Sequence, residues 1–168
     1  METVEIHPKG WGYEKWIVNN DLYCGKLLFF ERGKKCSWHY HKIKDETFYV
    51  QSGEILLRYG KTDDYEKWIV NNDLYCGKVL FFERGKKCSW HYHKVKDETF
   101  YVQSGEILLR YGEHDDLERS KTINLKPGDK FYVPPGLRHQ MTGIADTELF
   151  EFSTQHFEDD SYRIIRGD

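Results

Sequence analysis

The pattern His-x-His-x4-Glu occurs twice in this chain. It appears as His39, His41 and Glu46 within "CSWHYHKIKDETFYVQSG", and as His91, His93 and Glu98 within "CSWHYHKVKDETFYVQSG". Two imidazoles one residue apart point to the same side of a β-strand. A Glu five residues further on follows a short turn and opens the next strand. A hairpin of this kind brings the carboxylate beside both rings. Three donors of mixed nitrogen and oxygen type suit a first-row divalent metal. A fourth donor has to come from elsewhere, and His139 in "PPGLRHQM" is the candidate, beside a rigid Pro-Gly corner. A lone His-x-His is as often a solvent-facing pair. The spaced Glu and the later His are what favour a metal.

The elements that must position these groups read as short strands. Each copy runs "KWIVNN", "LYCGKLLFFE", "CSWHYH", "ETFYVQSG" and "EILLRYG", with Gly, Asn, Asp and Lys clusters between them. The lengths and the aromatic and β-branched content are those of strands. In "CSWHYH" the histidines alternate with Cys36, Trp38 and Tyr40, which therefore take the other face. The later segment "SKTINLKPGDKFYVPPGLRHQMTG" gives a strand, a Pro-Gly turn, a strand, a Pro-Pro-Gly turn and another strand. "TELFEFST" follows as the last strand. No segment over ten residues has helical periodicity. Many short strands at regular spacing predict an all-β antiparallel barrel or sandwich.

Residues 13–64 recur as 65–116, and only Leu27/Val79, Ile43/Val95, Lys61/Glu113 and Thr62/His114 differ. Such near-identity points to a duplication too recent to have drifted, or to an engineered one. The chain then divides into an N-terminal flank (1–12), a first copy (13–64), and a second copy with the unique remainder (65–168).

The 168 residues include 12 Tyr, 10 Phe and 5 Trp, enough for a packed core. A net charge of −3 with no basic surplus gives no support to a nucleic-acid partner. No apolar run is long enough for a transmembrane helix, and the polar start does not read as a secretory signal. A cytoplasmic location is expected. The cysteines Cys24, Cys36, Cys76 and Cys88 are two positions, each present twice. They read as reduced, buried residues on strands.

Both halves resemble the cupin superfamily. Its first motif, G-x5-H-x-H-x(3,4)-E-x6-G, is matched by Gly33, His39, His41, Glu46 and Gly53, and again by Gly85, His91, His93, Glu98 and Gly105. Its second motif, G-x5-P-x-G-x2-H-x3-N, is matched by Gly128, Pro134, Gly136 and His139, with Gly143 in place of the final Asn. The resemblance implies a jelly-roll barrel holding a divalent metal (Zn, Mn, Fe, Ni or Co) through His91, His93, Glu98 and His139. The alternative uses His39, His41 and Glu46 with His139. "HPKGWGYEKW" and the tail "FEFSTQHFEDDSYRIIRGD" are similar to segments of the cupin domain in type II mannose-6-phosphate isomerases.

Two first motifs compete for one second motif. Loop closure favours the second copy by only about 1 kcal/mol. The first copy keeps its junction with the flank, where Val4, Ile6 and Trp11 would be buried. In front of the second copy, "EILLRYGKTDD" would take the flank's place, with Leu56 and Leu57 filling in. The second copy is favoured because the run from Tyr65 onward is intact. The displaced copy would present strand edges, which predicts a homo-oligomer formed by strand exchange.

The implied function is that of a metal-dependent enzyme on a small carbohydrate, similar to a sugar-phosphate isomerase. The alternatives are an iron-dependent dioxygenase, a non-catalytic binding module for a sugar or small acid, and an engineered duplication. Arg138 and Lys96 are candidates for holding a phosphate. Tyr101, Lys94 and His156 are candidates for assisting at the substrate.

Overall fold

The computed structural model describes residues 4–37, 39, 41–57 and 69–168. Among the described residues all regular structure is β, apart from single 3-10 turns at Leu117–Arg119 and Glu158–Asp160. Among the described residues thirteen strands form three antiparallel sheets. The first sheet holds β1 (Glu5–Lys9), β2 (Gly12–Asn19) and β3 (Cys24–Phe30) in chain order.

The second sheet contains β4 (Val70–Asn71), β5 (Cys76–Phe82), β7 (Glu98–Ser104), β10 (Lys130–Val133) and β12 (Thr147–Ser153), in the order β10-β7-β12-β5-β4. The third contains β6 (Trp90–Tyr92), β8 (Ile107–Gly112), β9 (Lys121–Leu125), β11 (Arg138–Gly143) and β13 (Tyr162–Ile165), in the order β13-β6-β11-β8-β9. Neighbours distant in sequence and all-antiparallel pairing make these two sheets a jelly roll.

The second and third sheets face each other across one apolar core. Phe82, Phe100, Val102, Val133 and Leu149 from one sheet pack on Ile107, Leu109, Leu125 and Met141 from the other. Burial of each such side chain contributes roughly 1.5–3 kcal/mol. The β7–β8 turn is tight: Gly105 has φ +83°, and a Cβ there would lie 2.2 Å from the Asp146 carbonyl oxygen. Only glycine fits such a corner.

The first sheet covers the outer face of the second. Ile17 packs with Tyr101 and Phe150, flanked by Val4, Leu27, Val79 and Phe152. Gly25 lets β3 approach the Phe152 ring, which a Cβ would meet at 2.6 Å. The Tyr23 hydroxyl donates to Asp97 Oδ1 at 2.5 Å. Because both faces of β7 are covered, its first five residues are all buried. The strand therefore lacks the polar alternation of a half-exposed one.

The two copies of the repeat adopt different structures from nearly the same residues. In the second, 90–92 and 98–104 are strands β6 and β7. In the first, the described residues of 36–41 and all of 46–52 belong to no strand. The strands expected there do not form. A strand takes its stability from cross-strand partners, and β10 to β13 are already paired with the second copy. As a result Phe48 is 57% exposed, whereas its counterpart Phe100 is 1% exposed.

Other expectations need correction. Leu56 and Leu57 do not fill in ahead of the second copy; both are exposed, Leu56 at 83%. Trp11 stacks on Phe30 with ring centroids 4.2 Å apart, but Ile6 faces solvent. All four cysteines are free, yet Cys24 and Cys36 are exposed, while Cys76 is buried and Cys88 half-buried. "TELFEFST" is not the last strand. Short, charged "SYRIIR" contributes β13, which pairs with β6. Trp38, Tyr40, the end of "EILLRYGKTDD" and the boundary between 64 and 65 lie outside the described residues.

Candidate metal centre

The β6–β7 hairpin and β11 bring His91, His93, Glu98 and His139 together. His139 pairs directly with His91 across the β11–β6 ladder. Donor nitrogens of His91, His93 and His139 lie within 4.8 Å of one another. The Oε2 of Glu98 is 3.6 Å from His93 Nε2 and 3.4 Å from His139 Nε2. Both His139 and Glu98 are almost wholly enclosed, at 1% and 2% exposure.

Backbone carbonyls set the tautomers. A carbonyl oxygen can only accept, so each Nδ1 facing one carries the proton. His91 Nδ1 donates to the Ser89 carbonyl at 2.9 Å, His93 Nδ1 to that of Asp160 at 2.7 Å, and His139 Nδ1 to that of Leu137 at 3.2 Å. Each Nε2 is left with its lone pair free to ligate. Burial pushes His91 down to about 4, helped by the neighbouring His139. Burial also pushes His139 down to about 4. Both rings are therefore neutral at pH 7, as a metal ligand must be.

The carboxylate of Glu98 is divided between two tasks. Its Oε1 accepts from Lys96 Nζ at 2.6 Å. Its Oε2 is buried without a hydrogen-bond partner among the described residues. A buried carboxylate oxygen left bare is costly, and this one is aimed at two imidazole nitrogens. Three nitrogen donors and one carboxylate oxygen fit a divalent first-row ion.

Two supporting residues were not legible as such in the sequence. Asp160, in an unremarkable acidic tail, accepts backbone N–H bonds from Lys94, Val95 and Lys96 at 2.9–3.3 Å. These amides more than offset the effect of burial and hold its carboxyl below the usual range. The same residue's carbonyl orients His93, so one tail residue shapes both the turn and a ring. The second is Lys96, expected as a phosphate holder. It is buried, and its Nζ is bonded to Glu98 and Glu151. Burial alone would lower its affinity for a proton, but Glu151 and Glu98 more than reverse this and raise its pKa.

The remaining expected site residues lie elsewhere. Tyr101 alternates with Glu98 and Phe100 on β7, so it faces outward onto Ile17 and Phe150 and away from the histidines. Arg138 adjoins His139 and takes the opposite face. Its Nε and Nη2 are held by Asp115 Oδ1 at 2.9 and 2.8 Å, its Nη1 by the Gly136 carbonyl, and its guanidinium lies over Tyr92. Lys94 sits over the Tyr162 ring, and His156 contacts Lys78 and Asn71. The alternative in which His39, His41 and Glu46 share His139 is not the arrangement found. Those three form a separate, exposed group, because β11 is paired with the second copy.

Residues 79–152 match the Cupin_2 family, described as a cupin domain. An uncharacterized protein, YdbB of Bacillus subtilis (strain 168), is 33% identical over 58 residues, covering 34% of this chain and 46% of that protein. The chain thus spans less than half the length of this curated relative. Among solved structures, L-ribose isomerase of Cellulomonas parahominis aligns with a TM-score of 0.50 at 17% identity, covering 54% of this chain and 57% of that one. KdgF from Halomonas sp. aligns with a TM-score of 0.48 at 20% identity, covering 55% of this chain and 81% of that one. The family match begins in β5, ends in β12 and takes in all four converging side chains.

Proposed function

We propose that this protein binds one divalent first-row metal ion through His91, His93, Glu98 and His139, and acts on a small carbohydrate. The observation that carries the reading is that three imidazole donors lie within 4.8 Å of one another, with the bare Oε2 of Glu98 3.4–3.6 Å from two of them. A bound ion would supply Lewis-acid polarisation of a substrate carbonyl and its adjacent hydroxyl. The chain's own contribution is orientation and exclusion of water. Carbonyls of Ser89, Asp160 and Leu137 fix the three rings, Lys96 fixes the carboxylate, and Phe100 flanks His139 with ring centroids 5.8 Å apart. The similarity of both chain ends to type II mannose-6-phosphate isomerases favours a sugar-phosphate isomerase-like reaction.

Metal analysis after dialysis tests the site. The wild-type protein is expected to retain one tightly held ion from Mn, Fe, Co, Ni or Zn, and His139→Ala and His93→Ala to lose it while keeping their far-UV circular dichroism. Failure to retain any of these ions would overturn the reading. Aldose–ketose interconversion of mannose 6-phosphate with each ion tests the substrate class. Oxygen uptake with iron but not zinc would favour a dioxygenase instead.

The first copy suggests an assembly. Phe48, Tyr49, Val50, Ile55 and Leu57 are exposed, in a segment that repeats the barrel strands β6 to β8 with one substitution, Ile43 for Val95. Its natural partner is the set of unique strands β10 to β13 in a second copy of this chain, reached by strand exchange. Light scattering that finds only monomer at high concentration would remove the exchanged oligomer.

A further inference from the structure

We propose that His39, His41 and Glu46 form a second, open metal site on the surface, suited to a late first-row divalent ion such as Ni2+, Cu2+ or Zn2+. Their ligand atoms all lie within 4.8 Å of one another. His41 Nε2 is 3.4 Å from Glu46 Oε2. The His39 and His41 ring centroids are 5.1 Å apart at 84°, against 5.1 Å and 87° for His91 and His93. The pair therefore keeps its relative geometry without the strand ladder that surrounds its counterpart.

The local chemistry is preset as well. His39 Nδ1 donates to the Ser37 carbonyl at 2.9 Å, which leaves its Nε2 free to ligate. Glu46 Oε1 is held by Lys44 Nζ, as Glu98 Oε1 is by Lys96. The loop is tethered to the rest of the molecule. Asp45 Oδ2 accepts from Asn72 Nδ2 at 3.4 Å, Thr47 Oγ1 bonds the Tyr75 hydroxyl at 3.2 Å, and Gln51 Nε2 donates to Glu148 Oε2 at 2.8 Å.

Among the described residues no fourth protein donor joins these three, and His139 belongs to the other cluster. The remaining coordination positions are therefore open to water or to an external ligand. Two imidazoles disfavour Mg2+ and Ca2+, which select oxygen donors. With three donors and side chains still partly open to water, this site holds its ion more weakly than the enclosed one. It uses none of the barrel residues, does not depend on the metal centre proposed above, and belongs to the chain whose first copy has not exchanged strands.

Calorimetric titration of the metal-stripped full chain with Ni2+ tests this, with Ni content after dialysis as a second readout. Two binding events are expected for the wild type. His39→Ala/His41→Ala, at exposed positions outside any strand, is expected to lose the weaker event and keep the tighter. His41→Ala alone is expected to weaken the second event by about 10-fold or more, the size of loss that follows even removal of an outer partner. Uptake in the double variant equal to wild type in number and affinity would overturn the proposal. A single wild-type event abolished by the double variant would uphold this site and refute the barrel one.

Discussion

His139 lies opposite His91 on adjacent strands, with ring centroids 4.3 Å apart. One of these residues comes from the repeated part of the chain and the other from the unique part. A shift of one residue in register would turn every side chain of β11 to the other face. The chemistry of the cluster therefore depends on which copy of the repeat pairs with β11.

Paired substitutions at equivalent positions test that pairing. Phe100→Ala removes a core side chain and is expected to cost about 3–5 kcal/mol. Phe48→Ala, at the same position of the first copy, is expected to stay within about 0.5 kcal/mol, as for an exposed site. Urea midpoints for both variants provide the measurement. A larger loss at 48 than at 100 would mean that the first copy occupies the barrel.

Lys96 is buried between Glu98 and Glu151. Lys96→Met would leave Glu98 without its lysine and Glu151 with only Lys78, 3.5 Å away, and breaking such a group costs about 3–5 kcal/mol. Adding Glu151→Gln should recover part of the loss, since one buried charge is then gone. Chemical denaturation of the single and double variants measures this coupling. Simple additivity would show that the three groups do not act together.

Two phenols share one buried carboxylate. Tyr23 and Tyr132 donate to the two oxygens of Asp97, each at 2.5 Å. The bond to Asp97, aided by burial, pushes Tyr132 up to about 12. Burial, then the same carboxylate, raises Tyr23 as well. A folded pKa above the unfolded one gives stability that is complete below about pH 10 and lost as the pH rises toward 12. Urea midpoints should therefore fall between pH 9 and 11.5, and less steeply in Tyr23→Phe/Tyr132→Phe. Equal slopes in both proteins would contradict the assignment.

The thiols should divide into two pairs. Cys24 and Cys36 are exposed, whereas Cys76 is buried. Burial pushes the Cys88 thiol up to about 11, and its Sγ lies 3.1 Å from the Met141 amide. Reactivity requires an accessible thiolate. Two of the four thiols are expected to react readily with a disulfide reagent in the native state, and all four in guanidinium. Four fast thiols in the native protein would argue against the burial of Cys76.

Much of the barrel was legible in the sequence because alternation, Pro-Gly corners and motif spacing are local signals. The strand lengths around His91, Glu98 and His139 follow from them. The fate of the first copy was not legible, since "ETFYV" reads the same at Glu46 as at Glu98, and only the supply of partner strands separates the two. Lys96 was misread because a lysine's direction depends on the carboxylates that face it, and Glu151 is 55 residues away. Tyr101 looked available because nothing in its own strand announces that Ile17 covers it. Asp160 gave no signal, because its task is defined by three amides of a distant turn.

The order of synthesis bears on the competition between the two copies. Strands β9 to β13, which complete the barrel, all follow both copies in the chain. When a nascent chain leaves the ribosome, each hairpin waits without a template until those last strands emerge. Emerging first gives the leading copy no kinetic advantage, and proximity to the late strands becomes the deciding difference.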